Sequence, residues 1–525
     1  MLLQVSPSPR AAAALPDALA AQILQRVPQQ QRLQQCALTC KAWASAAALV
    51  TVDVEQRLQV EGQAIPSFER WLQKHSGHLE SLKLSHSHRS SDVNLELQLP
   101  WDKLAKLQRL HLECFKLQLP GEGDSSCNTP AHLVAEASSS FEEGTETPAP
   151  LLLPSLQHLE LTVIKFDSSS SLQQLAAGAP GLTSLKTSQI SFAQQDFCSD
   201  YCASNSAAAT QQLAAAIPGL LQQLPCVSVL ELPGFPMSAA ATQQLGCMRG
   251  LRQVSLAQVP HMPMCQLQHL PSSITQLEFR GKMYGDGVAP YGPSLPDELL
   301  VLSGVLQLKL EGCYIPPTVL GAFTRLQSLN LDHCALLPRN AHDDDRSAEG
   351  TAALLRALEQ MTCLQDLELC TAGIDTAFTA PQSFRALTAS TQLTRLALCP
   401  EWYAPLPQGA VQYMFPAGRQ LPLLQHLEFN PYIEDTEGFE AAEWCIDGAD
   451  LGCIATCCTG LQWLQLWRVV KPGKDVCRAC YVNTLYTTCL PQHDVDTGEL
   501  LHSDETAPTN CCTPTKLLAV VSRQH

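Results

Sequence analysis

At 525 residues the chain is too long for one ordinary compact core, a limit that only an array of neighbour-packed units escapes. With 45% apolar and 16% charged residues, a largely disordered chain is excluded. The net charge of -17 excludes the basic footprint that nucleic acid selects, and suits a solvated surface or a partner with a basic patch.

The 23 cysteines are odd in number, and the start, MLLQVSPSPR, lacks the charged-then-apolar pattern of a secretory signal. No run of 18 or more apolar residues suggests a membrane span. The cysteines therefore read as reduced, buried small hydrophobes, and the expected compartment is cytoplasm or nucleus.

Residues 1–14 are rich in Pro, Ser and Ala and are expected to be disordered. From Leu15, apolar residues fall at helical spacing: Leu15, Leu19, Ile23, Leu24 and Val27. Pro16 and Asp17 suit the start of that helix, and Pro28 ends or kinks it. A second stripe follows at Leu33, Cys36, Ala37, Cys40 and Trp43. Residues 15–50 thus form a small all-α unit with more apolar surface than it can bury alone.

This stretch resembles an F-box. The family's ordered elements are present as Leu15-Pro16, Ile23-Leu24, Val27 and Cys40-Lys41-Ala42-Trp43, joined by a plain polar Gln29-Gln30-Gln31. The resemblance implies docking on the Skp adaptor of a cullin–RING ubiquitin ligase. It assigns that contact to Leu15, Pro16, Leu19, Ile23, Leu24, Val27, Leu33, Cys36, Cys40, Lys41 and Trp43. The competing reading is that residues 15–50 only cap the first repeat, as solenoids require.

Residues 51–78, with Phe68, Trp71 and Leu72, are expected as a helical lead-in. Beyond them Leu-x-x-Leu-x-Leu recurs, as in Leu107-Gln-Arg-Leu110-His-Leu112 and Leu326-Gln-Ser-Leu329-Asn-Leu331. Strand cores are expected from Leu79, Leu107, Leu156, Leu182, Val227, Leu251, Ile274, Val305, Leu326, Leu364, Leu393, Leu424 and Leu461. The intervals run from 21 residues (305 to 326) to 49 (107 to 156). In a strand the second and third leucines share one face, so they enter the core and the residue between them points out. Pro154, Pro180-Gly181, Pro225 and Pro422 turn the chain into the next strand. Residues 171–177 and 351–361 are expected as helices, and 208–224 as two short ones broken by Pro218.

The segment 79–470 resembles irregular leucine-rich repeats, two of which keep the family's cysteine after the strand, Cys313 and Cys334. The expected fold is an α/β leucine-rich-repeat solenoid (a horseshoe) preceded by the F-box-like unit. Residues 120–150 read as an acidic disordered insertion, 339–350 as a smaller polar loop, and 471–525 as a C-terminal cap and flexible tail.

A search for chemistry finds no nucleophile elbow, Walker loop, zincin helix or dinucleotide fingerprint, so no catalytic residue and no cofactor is expected. Cys477, Cys480, Cys489, Cys511 and Cys512, with His493, offer one properly spaced pair, short of a zinc site. An enzyme using that cysteine-rich end would hold metal. His86 and His88, in a loop after a strand, read as solvated. Binding is expected on the concave face, whose central residues include Glu368, Glu428 and Gln465. Trp463 and Trp467 share the parity of Gln465, and paired outward tryptophans mark either a binding spot or a seat for the tail. Trp402 and Tyr403 are placed near the same end. The expected function is target recognition within an SCF-type ligase, with an unknown protein substrate, no nucleic acid and no membrane. The alternative is a non-catalytic scaffold, for instance of the cytoskeleton or cilium.

Overall fold

A computed structural model describes residues 22, 24–27, 52–58, 64–86, 95–119, 151–192, 206–233, 235–257, 266–281, 295, 299, 302–332, 334, 344–370, 381–399, 409–429, 446 and 448–466. They fall in two units, Met1–Ser273 and Ile274–His525.

The first unit holds strands β1 (Asp53–Leu58), β2 (Ser81–His86), β3 (Glu96–Leu97), β4 (Arg109–Leu117), β5 (His158–Phe166), β6 (Ser184–Phe192), β7 (Val229–Leu232) and β8 (Gln253–Ala257). Its helices are α1 (Ala64–His75), α2 (Ser169–Ala177), α3 (Ser206–Gln222) and α4 (Ala239–Cys247). The strands pair in parallel and in chain order, with β3 alone set aside against β4. The second unit repeats the plan with β9 (Gln276–Arg280), β10 (Gln307–Glu311), β11 (Ser328–Asp332), β12 (Asp366–Cys370), β13 (Arg395–Leu398), β14 (His426–Phe429) and β15 (Trp463–Leu466). Its helices are α5 (Pro317–Leu320), α6 (Asp344–Gln360), α7 (Ala410–Met414) and α8 (Gly448–Cys457). No described helix is long and apolar enough to cross a membrane.

All thirteen expected strand cores are strands, each beginning two residues after its first leucine or equivalent. The two variable residues of Leu-x-x-Leu carry the stacking. Their consecutive N–H groups donate to one carbonyl a repeat back: Gln327 and Ser328 to Leu306 O (2.7 and 3.0 Å), then Gln365 and Asp366 to Gln327 O (2.7 and 3.0 Å). The same fork joins Gln425 and His426 to Thr394 O, at 2.8 and 3.0 Å. The first leucine closes a tight turn onto the residue three before it, as Leu326 N does onto Phe323 O at 3.0 Å. The second and third leucines are buried throughout the described strands up to β14.

Three expectations change. Residues 51–78 are not helical throughout, because Asp53–Leu58 forms β1 and pairs with β2 before α1 begins. Val54 and Leu58 are buried there, and the three polar residues between them, Glu55, Gln56 and Arg57, leave no apolar alternation in the sequence. Helix α3 runs through Pro218 as one element. Proline removes the N–H that would bond the carbonyl of Ala214, and Ser238 Oγ, at the start of α4, donates to that carbonyl at 3.5 Å. His86 is the last residue of β2, and its ring is buried beside Phe115, with centroids 6.2 Å apart.

Strands β4 and β5 contain a matched irregularity. Cys114 and Val163 both adopt positive φ, 66° and 52°, at the same register. The inserted residue resets the alternation, so Leu110 and Leu112 are buried before it and Phe115 and Leu117 after it.

Candidate protein-binding face

Parallel register lines up the residues between the leucines. In the first unit the row runs Glu55, Lys83, His111, Glu160, Lys186, Glu231 and Ser255. In the second it runs Glu278, Lys309, Asn330, Glu368, Ala397, Glu428 and Gln465. These are the expected central residues, with Glu55 added by β1.

Basic and acidic side chains sit next to one another along the row. Lys83 lies 2.7 Å from Glu55, His111 Nδ1 lies 2.9 Å from Glu160, and Lys186 lies 2.7 Å from Glu231. The partnership with Lys83 holds the Glu55 carboxyl below its usual range. Glu231 also accepts from Gln253 Nε2 at 3.0 Å. In the second unit Glu278 is shared by Lys309 (3.0 Å) and Arg280 (2.9 Å), and Arg280 also reaches Glu311 (3.3 Å).

Arg395 gathers Glu368 at 2.6 Å and Asp366 at 3.2 Å. Burial works against its charge, and the bond to Glu368 with the field of both carboxylates more than offsets this, so the guanidinium is held above its ordinary range. Glu428 accepts from Gln465 Nε2 at 3.2 Å, which places two of the expected binding residues in direct contact. Trp463 is half-buried, with its ring centroid 6.4 Å from that of His426 on the neighbouring strand. Trp467, Trp402 and Tyr403 lie outside the described residues, as do the Cys477–Cys512 cluster and His493.

Two row positions differ from an exposed face. Ser255 and Ala397 are buried. Asn330 has a buried Oδ1 without a hydrogen bond, between Lys309 and Glu368.

Of the eleven residues that the F-box resemblance assigns to the adaptor contact, only Leu24 and Val27 are described. Leu24 is fully buried and Val27 is half-buried, with Val27 N donating to Leu24 O at 3.1 Å. Among the described residues no group of three or more His, Cys, Asp or Glu could hold a metal ion.

Parallel strands stacked in chain order, leucine-lined on one face and polar on the other, are the architecture of a leucine-rich-repeat array. Such arrays are protein-interaction folds. No protein-family model matches the chain, and no curated protein matches it by sequence. Solved structures similar to it include an internalin (InlF) of Listeria monocytogenes, 12% identical over 84% of this chain and 97% of that one, with a TM-score of 0.36. A leucine-rich-repeat protein of Leptospira interrogans is 15% identical over 90% of this chain and 97% of that one, with a TM-score of 0.37. The functional domain of InlJ from Listeria monocytogenes, described as including a cysteine ladder, is 13% identical over 75% of this chain and 68% of that one, with a TM-score of 0.33.

Proposed function

We propose that the chain is the substrate-recognition subunit of an SCF-type cullin–RING ubiquitin ligase, in which the F-box-like helices hold the Skp adaptor and the outward strand face holds a target protein. The observation that carries this is the ordered set Leu15-Pro16, Ile23-Leu24, Val27 and Cys40-Lys41-Ala42-Trp43 ahead of a repeat array. The chain itself performs no chemistry. It holds a target near the ligase, which raises the effective concentration of the reacting lysine. In this reading Leu15, Pro16, Leu19, Ile23, Leu24, Val27, Leu33, Cys36, Cys40, Lys41 and Trp43 supply the adaptor contact. The face around Glu368, Glu428, Trp463 and Gln465 supplies target contacts, and the proposed compartment is the cytoplasm or nucleus.

The test is affinity purification from cells with and without proteasome inhibition, comparing the natural chain with the double variant Leu15→Ala, Trp43→Ala. The ligase reading requires adaptor and cullin with the natural chain, their loss with the variant, and targets that accumulate on inhibition. A second reading, a scaffold whose N-terminal helices cap the repeats, draws on the complete burial of Leu24. It requires the same partners with both chains and no cullin with either.

A further inference from the structure

Four cysteines of the second unit occupy the ends of successive strands, and burial divides them into two pairs. Cys313 and Cys334 follow β10 and β11 and are fully buried. Their thiols donate to backbone carbonyls: Cys313 to Glu311 O at 3.2 Å, and Cys334 to Leu310 O and Asp332 O, each at 3.3 Å. Cys370 ends β12 and Cys399 follows β13. Both are half-exposed. They sit opposite one another, because Leu369 pairs with Leu398 and Cys399 N donates to Leu369 O at 2.8 Å.

From this juxtaposition we propose that Cys370 and Cys399 are a reversible thiol–disulfide site on the outward face, taking low-molecular-weight disulfides of the glutathione class as oxidant. Neighbouring strands hold Cα atoms about 4.8 Å apart, inside the span of roughly 4.4–6.8 Å that a disulfide bridges. In-register Cβ atoms lie wider than in a relaxed bridge, so the bond is strained and readily reduced, which suits a switch rather than a permanent staple. The bridge would join the two strand ends two residues from Glu368 and four from Arg395, so it sets the geometry of the proposed target face and rests on that reading only for its consequence.

The thiol of Cys370 is held in the protonated form by its contact with Cys399, then by burial, with the carboxylates of Glu368 and Asp332 adding to the effect. The Cys370 thiol also donates to Glu368 Oε1 at 3.8 Å, so Cys399 is the sulfur that gives its proton to solvent and attacks first. It attacks one sulfur of the small disulfide, expels one thiolate and becomes a mixed disulfide. Cys370 then loses its proton to solvent and attacks Cys399 Sγ, and the second small thiolate leaves. The two expelled thiolates take up two protons. The protein loses two electrons and the small disulfide is reduced to two thiols.

The purified full chain is treated with oxidised glutathione, alkylated, cleaved with trypsin and mapped by mass spectrometry. The expected result is a Cys370–Cys399 bridge, placed by fragmentation on Cys370 rather than Cys363, removed by dithiothreitol, with Cys313 and Cys334 alkylated only after unfolding. Cys399→Ser should leave Cys370 unmodified, and Cys370→Ser should leave Cys399 glutathionylated. Glutathione on Cys370 or Cys399 singly in the natural chain, or neither thiol touched while exposed Cys363 is modified, would overturn the proposal. The mapping on the natural chain decides the matter even if a variant fails to fold.

Discussion

Arg395 on β13 places a guanidinium nitrogen 2.6 Å from Glu368 Oε2 on β12, so a side chain one strand ahead orients an outward carboxylate of the strand before it. Both groups remain partly in water, which screens their attraction. Glu368→Gln is expected to lower stability by about 0.5–1 kcal/mol, with Arg395→Ala similar and the double variant less than additive. Urea unfolding in a double-mutant cycle measures it, and full additivity would show that the two side chains do not interact.

Position within the repeat governs the cost of truncation. Leu329 is fully buried, and Leu329→Ala should cost about 2–5 kcal/mol. Its neighbour Asn330 carries an unbonded buried oxygen, so Asn330→Ala should be neutral or slightly stabilising. Thermal unfolding of the two variants ranks them, and equal losses would contradict the assigned alternation.

Gly460, in a turn, and Gly452, in a helix, should respond with opposite sign. A Cβ on Gly460 would clash with the carbonyl oxygen of Pro422, where the turn before β15 stacks on the previous turn. Gly460→Ala is expected to lose about 1–3 kcal/mol. Gly452 in α8 faces open space, and Gly452→Ala should gain about 0.4–1 kcal/mol. Chemical denaturation distinguishes them.

Acid should act on α1 through His75. Burial, with Lys74 and His78 nearby, lowers the pKa of His75, so the folded chain disfavours its protonated form. As pH falls through about 6.5 the unfolded chain takes the proton first, and stability declines until the folded pKa is passed. His75→Gln should flatten the pH dependence of the melting temperature between neutral and mildly acidic buffer. An unchanged slope would show that His75 is not the group responsible.

The repeat spacing was legible because leucine placement and strand register share one cause, a two-residue alternation closed by a tight turn. The repeat carries a further signal. The residue three before the first leucine is also apolar and buried, as Leu104, Leu153, Phe323 and Met361 are. β1 was missed because Asp53-Val54-Glu55-Gln56-Arg57-Leu58 lacks the triple leucine and gains its place only by pairing with β2. Helix α3 was split at Pro218 because the partner for its orphaned carbonyl, Ser238, lies 24 residues from Ala214. The outward row was legible residue by residue, but its ion pairs were not, since sequence parity fixes which side a residue faces and not which register neighbour it meets. The thiol pair at Cys370 and Cys399 was hidden for the same reason.

Adaptor docking through residues 15–50 is measured most directly with purified components. Full-length chain mixed with purified Skp adaptor is run on a sizing column, alongside the Leu15→Ala, Trp43→Ala variant. A co-eluting one-to-one complex is expected with the natural chain and separate peaks with the variant. Separate peaks with the natural chain, while circular dichroism shows it folded, would contradict it.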